Sequence, residues 1–298
     1  MARDPGALDV WSDGAGEPLL LLRTALSAQH LVPLSRQPVL GDHFRLLTYD
    51  RRGYGASPPA QGPGSLAREA AEAATVLDDL GAKSAHVLGD SYSVALALEL
   101  ALAHPGRVRS LVLIEPPPAL APGSERFLAV NRQLMDIYES EGVDAALETF
   151  LGGMDGPDWR AAYDGVIPGI SRRIERDASA FFAHDIPALL DWSLDPARAA
   201  RIDCPVLYLE GAENGPLFTT VHDWLLELLP QARPVSIPGA GHSVSFTHPE
   251  EVAVATAAFL REQAGVAAVT PPESSSGLDG SRARSGPAAG RPSGSTAR

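Results

Sequence analysis

Six short apolar runs separated by stretches of helical periodicity restrict this chain's fold more than any other feature. They read PLLLLR (18–23), FRLLTYD (44–50), AHVLGD (85–90), VRSLVLIE (108–115), PVLYLEG (205–211) and ARPVSIPG (232–239). Their lack of apolar/polar alternation fits strands covered on both faces, as in a parallel sheet between helical layers. The stretches between them supply such helices. GSLAREAAEAATVLDDLG has helical spacing and a glycine stop at Gly81. YSVALALELALAHPG is an apolar helix ending near Pro105-Gly106. PEEVAVATAAFLREQ begins with Pro249 and two glutamates, both suited to a helix N-terminus. Strands alternating with helices predict a doubly wound, mostly parallel α/β sheet.

The alternation stops between about 118 and 200. SERFLAVNRQLMDIYES, VDAALETFLGGM and IERDASAFFAHDIPALLDW are helical patterns with no strand among them. An all-helical insertion between two strands predicts a cap over the strand ends, where open α/β sheets place ligands. The domain organisation read from the chain is therefore a core of 1–117 and 201–267, a cap of 118–200 and a tail of 268–298. The tail is rich in Gly, Ser and Pro and has little apolar surface to bury, so disorder is expected there.

Composition excludes several function classes. A net charge of -13 with no basic block argues against nucleic acid and anionic membrane as partners. No apolar run is long enough to span a membrane and no targeting segment appears, so a cytoplasmic protein acting on a small molecule is expected. The single cysteine, Cys204, permits no internal disulfide and reads as a small buried residue. The eight histidines lack metal-ligand spacing, and neither GAGEP nor GYGAS completes a dinucleotide fingerprint. No cofactor or metal is expected. Oligomeric state is not legible.

The chemistry centres on VLGDSYSVA (87–95), where a strand gives way to a helix. A nucleophile elbow needs small residues two before and two after its apex, because strand and helix approach closely there. With Ser91 as apex those positions are Gly89 and Ser93. With Asp90 as apex they are Leu88 and Tyr92, too bulky for the turn. The alternative is a plain turn in which Ser or Asp caps the helix. Downstream, PGAGHSVSFTHPEEV puts His242 in a Gly-rich loop after the last strand; His248 sits at a helix start, where capping accounts for it.

A third motif, TYDRRGYGASPP (48–59), makes a resemblance plain. The chain resembles the α/β-hydrolase superfamily. DRRGYGAS resembles the Asp-x-Arg-Gly-x-Gly-x-Ser stretch after an early strand, and GDSYS, CPVLYLEGAEN and GAGHSVSFTHPEEV match the elbow, late-strand and histidine segments in order and spacing. The resemblance covers about residues 8–265. It implies the α/β-hydrolase fold with an all-helical cap insertion, and a nucleophile and base at Ser91 and His242. The DRRGYGAS loop is chiefly structural in that family.

Two departures from the family pattern bear on the site. Where the family often carries His-Gly after a core strand, this chain has Arg23-Thr24. The resemblance implies an oxyanion hole from the backbone amides of Ala25 and Tyr92, with the Thr24 hydroxyl as a further donor. Arg23 either meets an acidic substrate group or pairs with an internal carboxylate. The usual acid position falls on Asn214, with Glu213 beside it. Some superfamily members take the acid from the end of the preceding strand, which here is Glu115. Glu115 ranks first, with Asn214 and Glu213 as alternatives.

Together these readings predict a serine-dependent hydrolase of an ester, lactone or thioester, working on a small to medium, largely apolar substrate through an acyl-enzyme. Carbon–carbon bond hydrolysis, a biosynthetic cyclase or lyase using the same cavity, and a non-catalytic binding protein on the same scaffold stand as alternatives. Leu217, Phe218, Val244, Trp159 and Phe182 are predicted to touch substrate. Phe127, Phe150, Met154, Tyr163 and Phe181 are further candidates, with cap packing the competing use for each.

Overall fold

The leucine run at 19–22 shows why alternation is missing. Leu20 and Leu22 pack into one apolar layer and Leu19 and Leu21 into another on the opposite face, all four almost fully buried. Leu111 and Leu113 likewise belong to the first layer, and Val112 and Ile114 to the second. A strand wet on neither face needs an apolar residue at every position.

The chain is described from a computed structural model covering residues 6–263. The predicted tail at 268–298 lies outside the described residues. In chain order the strands are β1 (Asp9–Asp13), β2 (Glu17–Leu22), β3 (Phe44–Asp50), β4 (Ala85–Asp90), β5 (Val108–Ile114), β6 (Val206–Gly211) and β7 (Ala232–Ile237). They form one sheet in the order β1-β3-β2-β4-β5-β6-β7, parallel except for β1, which pairs antiparallel with β3. The six predicted strands are present within two residues of their expected ends. The sequence reading missed β1: DVWSD sits at the sheet edge, largely exposed, with no apolar run to mark it. Strand β7 is half-exposed rather than buried. It is the other edge, where Pro234 costs no ladder hydrogen bond that a central strand would need.

The longer helices are α1 (Leu66–Asp79), α2 (Tyr92–Ala103), α3 (Glu125–Glu141), α4 (Val143–Asp155), α5 (Trp159–Val166), α6 (Ile170–Ala180), α7 (Ile186–Asp191), α8 (Pro216–Leu228) and α9 (Pro249–Gln263). A π-helical turn, Phe181–Asp185, joins α6 to α7. Ser65 caps α1 by accepting from the Arg68 amide at 3.4 Å. Helix α2 is apolar all round because it is buried nearly all round, against β4 and α1.

Between β5 and β6 the described chain has helices and no strand. Helices α3 to α7 share an apolar cluster of their own, including Leu134, Leu147, Leu151, Trp159, Ile174 and Phe182. Leu26 and Phe246 from the sheet side join that cluster. They seat it beside the loops after β2 and β7, the C-terminal ends of parallel strands.

Candidate active site

Ser91 lies between β4 and α2 with φ 51 and ψ -118, a backbone conformation that costs a non-glycine residue energy. The turn is tight: a Cβ on Gly89 would lie 2.3 Å from the Ser93 carbonyl oxygen, so only glycine fits there. At position 93 there is room for a side chain, and its hydroxyl is used. Ser93 Oγ accepts from the Asp90 amide and donates to the Leu22 carbonyl, each at 2.8 Å. The serine in the usual glycine position thus fastens the elbow to the end of β2.

Ser91 Oγ is 3.1 Å from His242 Nε2, and His242 Nδ1 is 3.3 Å from Glu115 Oε2. Glu115 is buried, just past the end of β5, with a positive φ of 51. It is held by its neighbours on β6 and the following loop. The Gly211 amide donates to Oε1, and Asn214 Nδ2 donates to both carboxylate oxygens, at 2.7 and 2.9 Å. Asn214 therefore occupies the customary acid position and serves the acid supplied by the adjacent strand. A second carboxylate there would face Glu115 as a buried like charge. Glu213 is exposed, its amide bonded to the Ala240 carbonyl. His248 contacts Thr247 at 2.9 Å and does not line the cavity.

The amides of Ala25 and Tyr92 have no hydrogen-bond partner among the described residues, and both residues line the cavity with Thr24, Ser91 and His242. Arg23 turns away from it. Its guanidinium pairs with Asp50, donates to Thr48 Oγ1 at 3.1 Å and lies over the Trp11 ring. The internal-carboxylate reading of Arg23 is the one the geometry supports.

The cavity offers about 950 Å³ of space, its open mouth included. Phe127, Phe150, Met154, Tyr163 and Phe181 line it from the helical insertion, and Phe218 lines it from α8. The Phe218 ring is 4.7 Å from that of His242. Three predicted substrate contacts lie elsewhere. Trp159 and Phe182 are fully buried in the insertion's own cluster, Phe182 stacked on Tyr138 at 5.2 Å. Val244 is fully buried in the apolar layer that contains α9. For Trp159 and Phe182, large side chains at helical spacing went into packing. The side chain of Leu217 lies outside the described set.

His30, Asp90, Asn131 and Asp185 also line the cavity, and the sequence reading assigned none of them to it. His30 stacks on Phe246 at 4.9 Å and comes within 3.7 Å of Asp90. Burial, with His242 nearby, pushes the His30 imidazole down to about 4, so it is neutral at pH 7. Burial pushes the Asp90 carboxyl up to about 7, although the Ser245 hydroxyl donates to it and favours its charged form. One signal for His30 was available: it sits in the loop after a parallel strand's C-terminal end, where ligands collect. Cys204 is half-buried, and burial pushes its thiol up to about 11, so it holds no reactive thiolate. Among the described residues no group of His, Cys, Asp and Glu could hold a metal ion, and no helix is long and apolar enough to cross a membrane.

Known proteins resemble this chain in sequence and fold. A profile described as the Alpha/beta hydrolase family matches residues 19–255. A relative named "Putative carbamate hydrolase RutD", from Pseudomonas savastanoi pv. phaseolicola, is 30% identical over 253 residues, covering 79% of this chain and 90% of the relative. Among solved structures, a hydrolase from Pseudomonas aeruginosa superposes with a TM-score of 0.66 at 29% identity, covering 87% of this chain and 97% of its own. A thermophilic esterase from Thermogutta terrifontis superposes with a TM-score of 0.70 at 23% identity, covering 86% and 93%. The mostly parallel sheet, the strained turn at Ser91 and the profile match lead to one conclusion: the chain belongs to the alpha/beta hydrolase family and is a hydrolase.

Proposed function

We propose that this hydrolase uses Ser91 as nucleophile, His242 as general base and acid, and Glu115 as the supporting carboxylate, to transfer an acyl group to water. The observation that carries the reading is the chain of contacts from Ser91 through His242 to Glu115, at 3.1 and 3.3 Å, beside two unpartnered amides. His242 Nε2 takes the Ser91 proton as Oγ attacks the substrate carbonyl. The amides of Ala25 and Tyr92 receive the oxyanion. His242 returns the proton to the leaving group, then activates the water that frees the acyl-enzyme. Glu115, oriented by the Gly211 and Asn214 donors, stabilises the imidazolium formed in each half-reaction.

The helical insertion acts as the cap, and its aromatic lining suits a small to medium apolar ester, lactone or thioester. The relative's name adds carbamates to the substrates worth testing, since their carbonyl is open to the same attack. A fluorophosphonate probe should label wild type and leave Ser91→Ala untouched. Turnover of a p-nitrophenyl ester should fall by about 10³-fold or more in that variant. A folded wild type that takes no label, or a Ser91→Ala variant that keeps its turnover, would sink the reading.

A further inference from the structure

The loop that replaces His-Gly, Arg23-Thr24-Ala25-Leu26, has no glycine, yet Leu26 has a φ of 63. A branched residue holds such a conformation only where its surroundings over-determine it. Those surroundings are one buried cluster. Arg51 Nε donates to the Arg23 carbonyl at 3.0 Å, Arg51 Nη2 to the Thr24 carbonyl at 3.3 Å, and the Leu26 amide donates to Tyr54 Oη at 3.2 Å. In a trans peptide the C=O and N–H point opposite ways. A guanidinium that holds the Thr24 carbonyl from behind therefore aims the Ala25 N–H away from itself, on the side where Ala25 lines the cavity.

Arg51 does not hold itself. It is buried, and its partners are mostly carboxylates and aromatic faces. Asp185 takes it in a two-pronged pair at 2.9 and 2.7 Å, and Glu69 accepts from it at 2.8 Å. The rings of Tyr54 and Tyr92 flank it at 4.8 and 4.5 Å. Tyr54 donates its hydroxyl to Asp185 at 2.6 Å, and Tyr92 donates to Glu69 at 2.8 Å. Tyr92 is also the residue whose amide forms the other half of the oxyanion hole. While Ala180 of the helical insertion packs against Tyr54, the insertion's hydrogen bonds to this cluster come, among the described residues, from Asp185. It stands at the end of the π-helical turn, 134 residues along the chain from Arg51.

We infer that Asp185 is a positioning residue: delivered by the insertion, it holds Arg51 and Tyr54 so that they aim the Thr24–Ala25 peptide at the acyl oxygen. Docking of the insertion and completion of the oxyanion hole are then one event. The inference rests on the serine-hydrolase reading above.

Asp185→Asn keeps the side chain's shape and removes its charge, and Tyr54→Phe removes a single hydroxyl. The measurement is steady-state hydrolysis of a p-nitrophenyl ester, together with inhibition by a trifluoromethyl ketone and by the matched methyl ketone. For folded Asp185→Asn we expect kcat to fall roughly 10- to 100-fold with KM nearly unchanged. The trifluoromethyl ketone should weaken by the same factor and the methyl ketone hardly at all. Tyr54→Phe should show the same pattern at a smaller factor, roughly 3- to 10-fold. The inference is overturned if both variants fold and keep wild-type kcat and trifluoromethyl ketone affinity. It also fails if both ketones weaken equally, or if only KM rises. A wild type that does not prefer the trifluoromethyl ketone would instead remove the serine-hydrolase reading, and this inference with it.

Discussion

In the proposed machinery Glu115 and Asn214 divide between them the part that the resemblance gives to one aspartate. The carboxylate comes from the end of β5 and the amide that steadies it from the loop after β6, 2.7 Å away. Glu115→Gln removes the charge that stabilises imidazolium, and kcat should fall by about 10³- to 10⁴-fold with little loss of stability. Asn214→Ala removes one of the donors to Glu115 and leaves the Gly211 amide in place; its cost should be on the order of tenfold. The opposite ranking would move the acid to position 214. Asp90 makes a separate prediction through stability. Its carboxyl is raised from an ordinary 3.8 to about 7, so the folded state holds a proton that the unfolded chain has lost. That contribution is full below the ordinary value and is lost as pH rises through about 7. Asp90→Asn has no such loss. Its urea midpoint should match wild type in acid and exceed it above neutrality, by up to about 4 kcal/mol in free energy. A constant gap across pH would contradict this. That Ser91, His242 and Glu115 meet was legible in the sequence, because turn sterics, chain order and strand ends each narrow the choice to one or two positions. Trp159 and Phe182 pack in the insertion's own cluster because helical spacing says which side chains share a face, not which face meets the cavity; Val244, chosen for its nearness to His242 in the chain, packs in the layer that contains α9.

At the scale of elements, runs such as PLLLL and VLYL announced themselves because both faces of the sheet are covered. Strand β1 did not, because an exposed edge strand needs no apolar face. The close approaches between elements are specified by glycine. A Cβ on Gly211 would lie 2.3 Å from the Ala240 carbonyl oxygen, and the Gly211 amide also donates to Glu115. Gly211→Ala should therefore cost about 1–3 kcal/mol of stability and lower kcat as well, because it displaces the loop that carries His242. Thermal unfolding and steady-state kinetics on the same preparation would show both losses. A drop in melting temperature with unchanged kcat would mean that the loop accommodates the methyl group without moving the site. Helices α3 to α7 were readable as helices from their periodicity, whereas their docking was not. It rests on contacts between distant segments, among them Asp185 with Arg51 across 134 residues and Leu26 and Phe246 with the insertion's apolar cluster, that no local pattern encodes.

At the scale of the whole molecule, the sheet brings Ser91, Glu115 and His242 from three separate strand ends to one place, and the helical insertion lays an apolar wall opposite them. The proposed machinery calls on no metal ion, so turnover should be unchanged after prolonged dialysis against a chelator. In the proposed reaction an acyl group passes through Ser91. Acid quenching during turnover of a slowly deacylated p-nitrophenyl ester, followed by peptide mass spectrometry, tests that directly. We predict a mass increase equal to the acyl group on the peptide containing Ser91, formed as fast as the first equivalent of p-nitrophenol is released and absent from Ser91→Ala. Continued hydrolysis with Ser91 unmodified, at the same rate in Ser91→Ala, would contradict it.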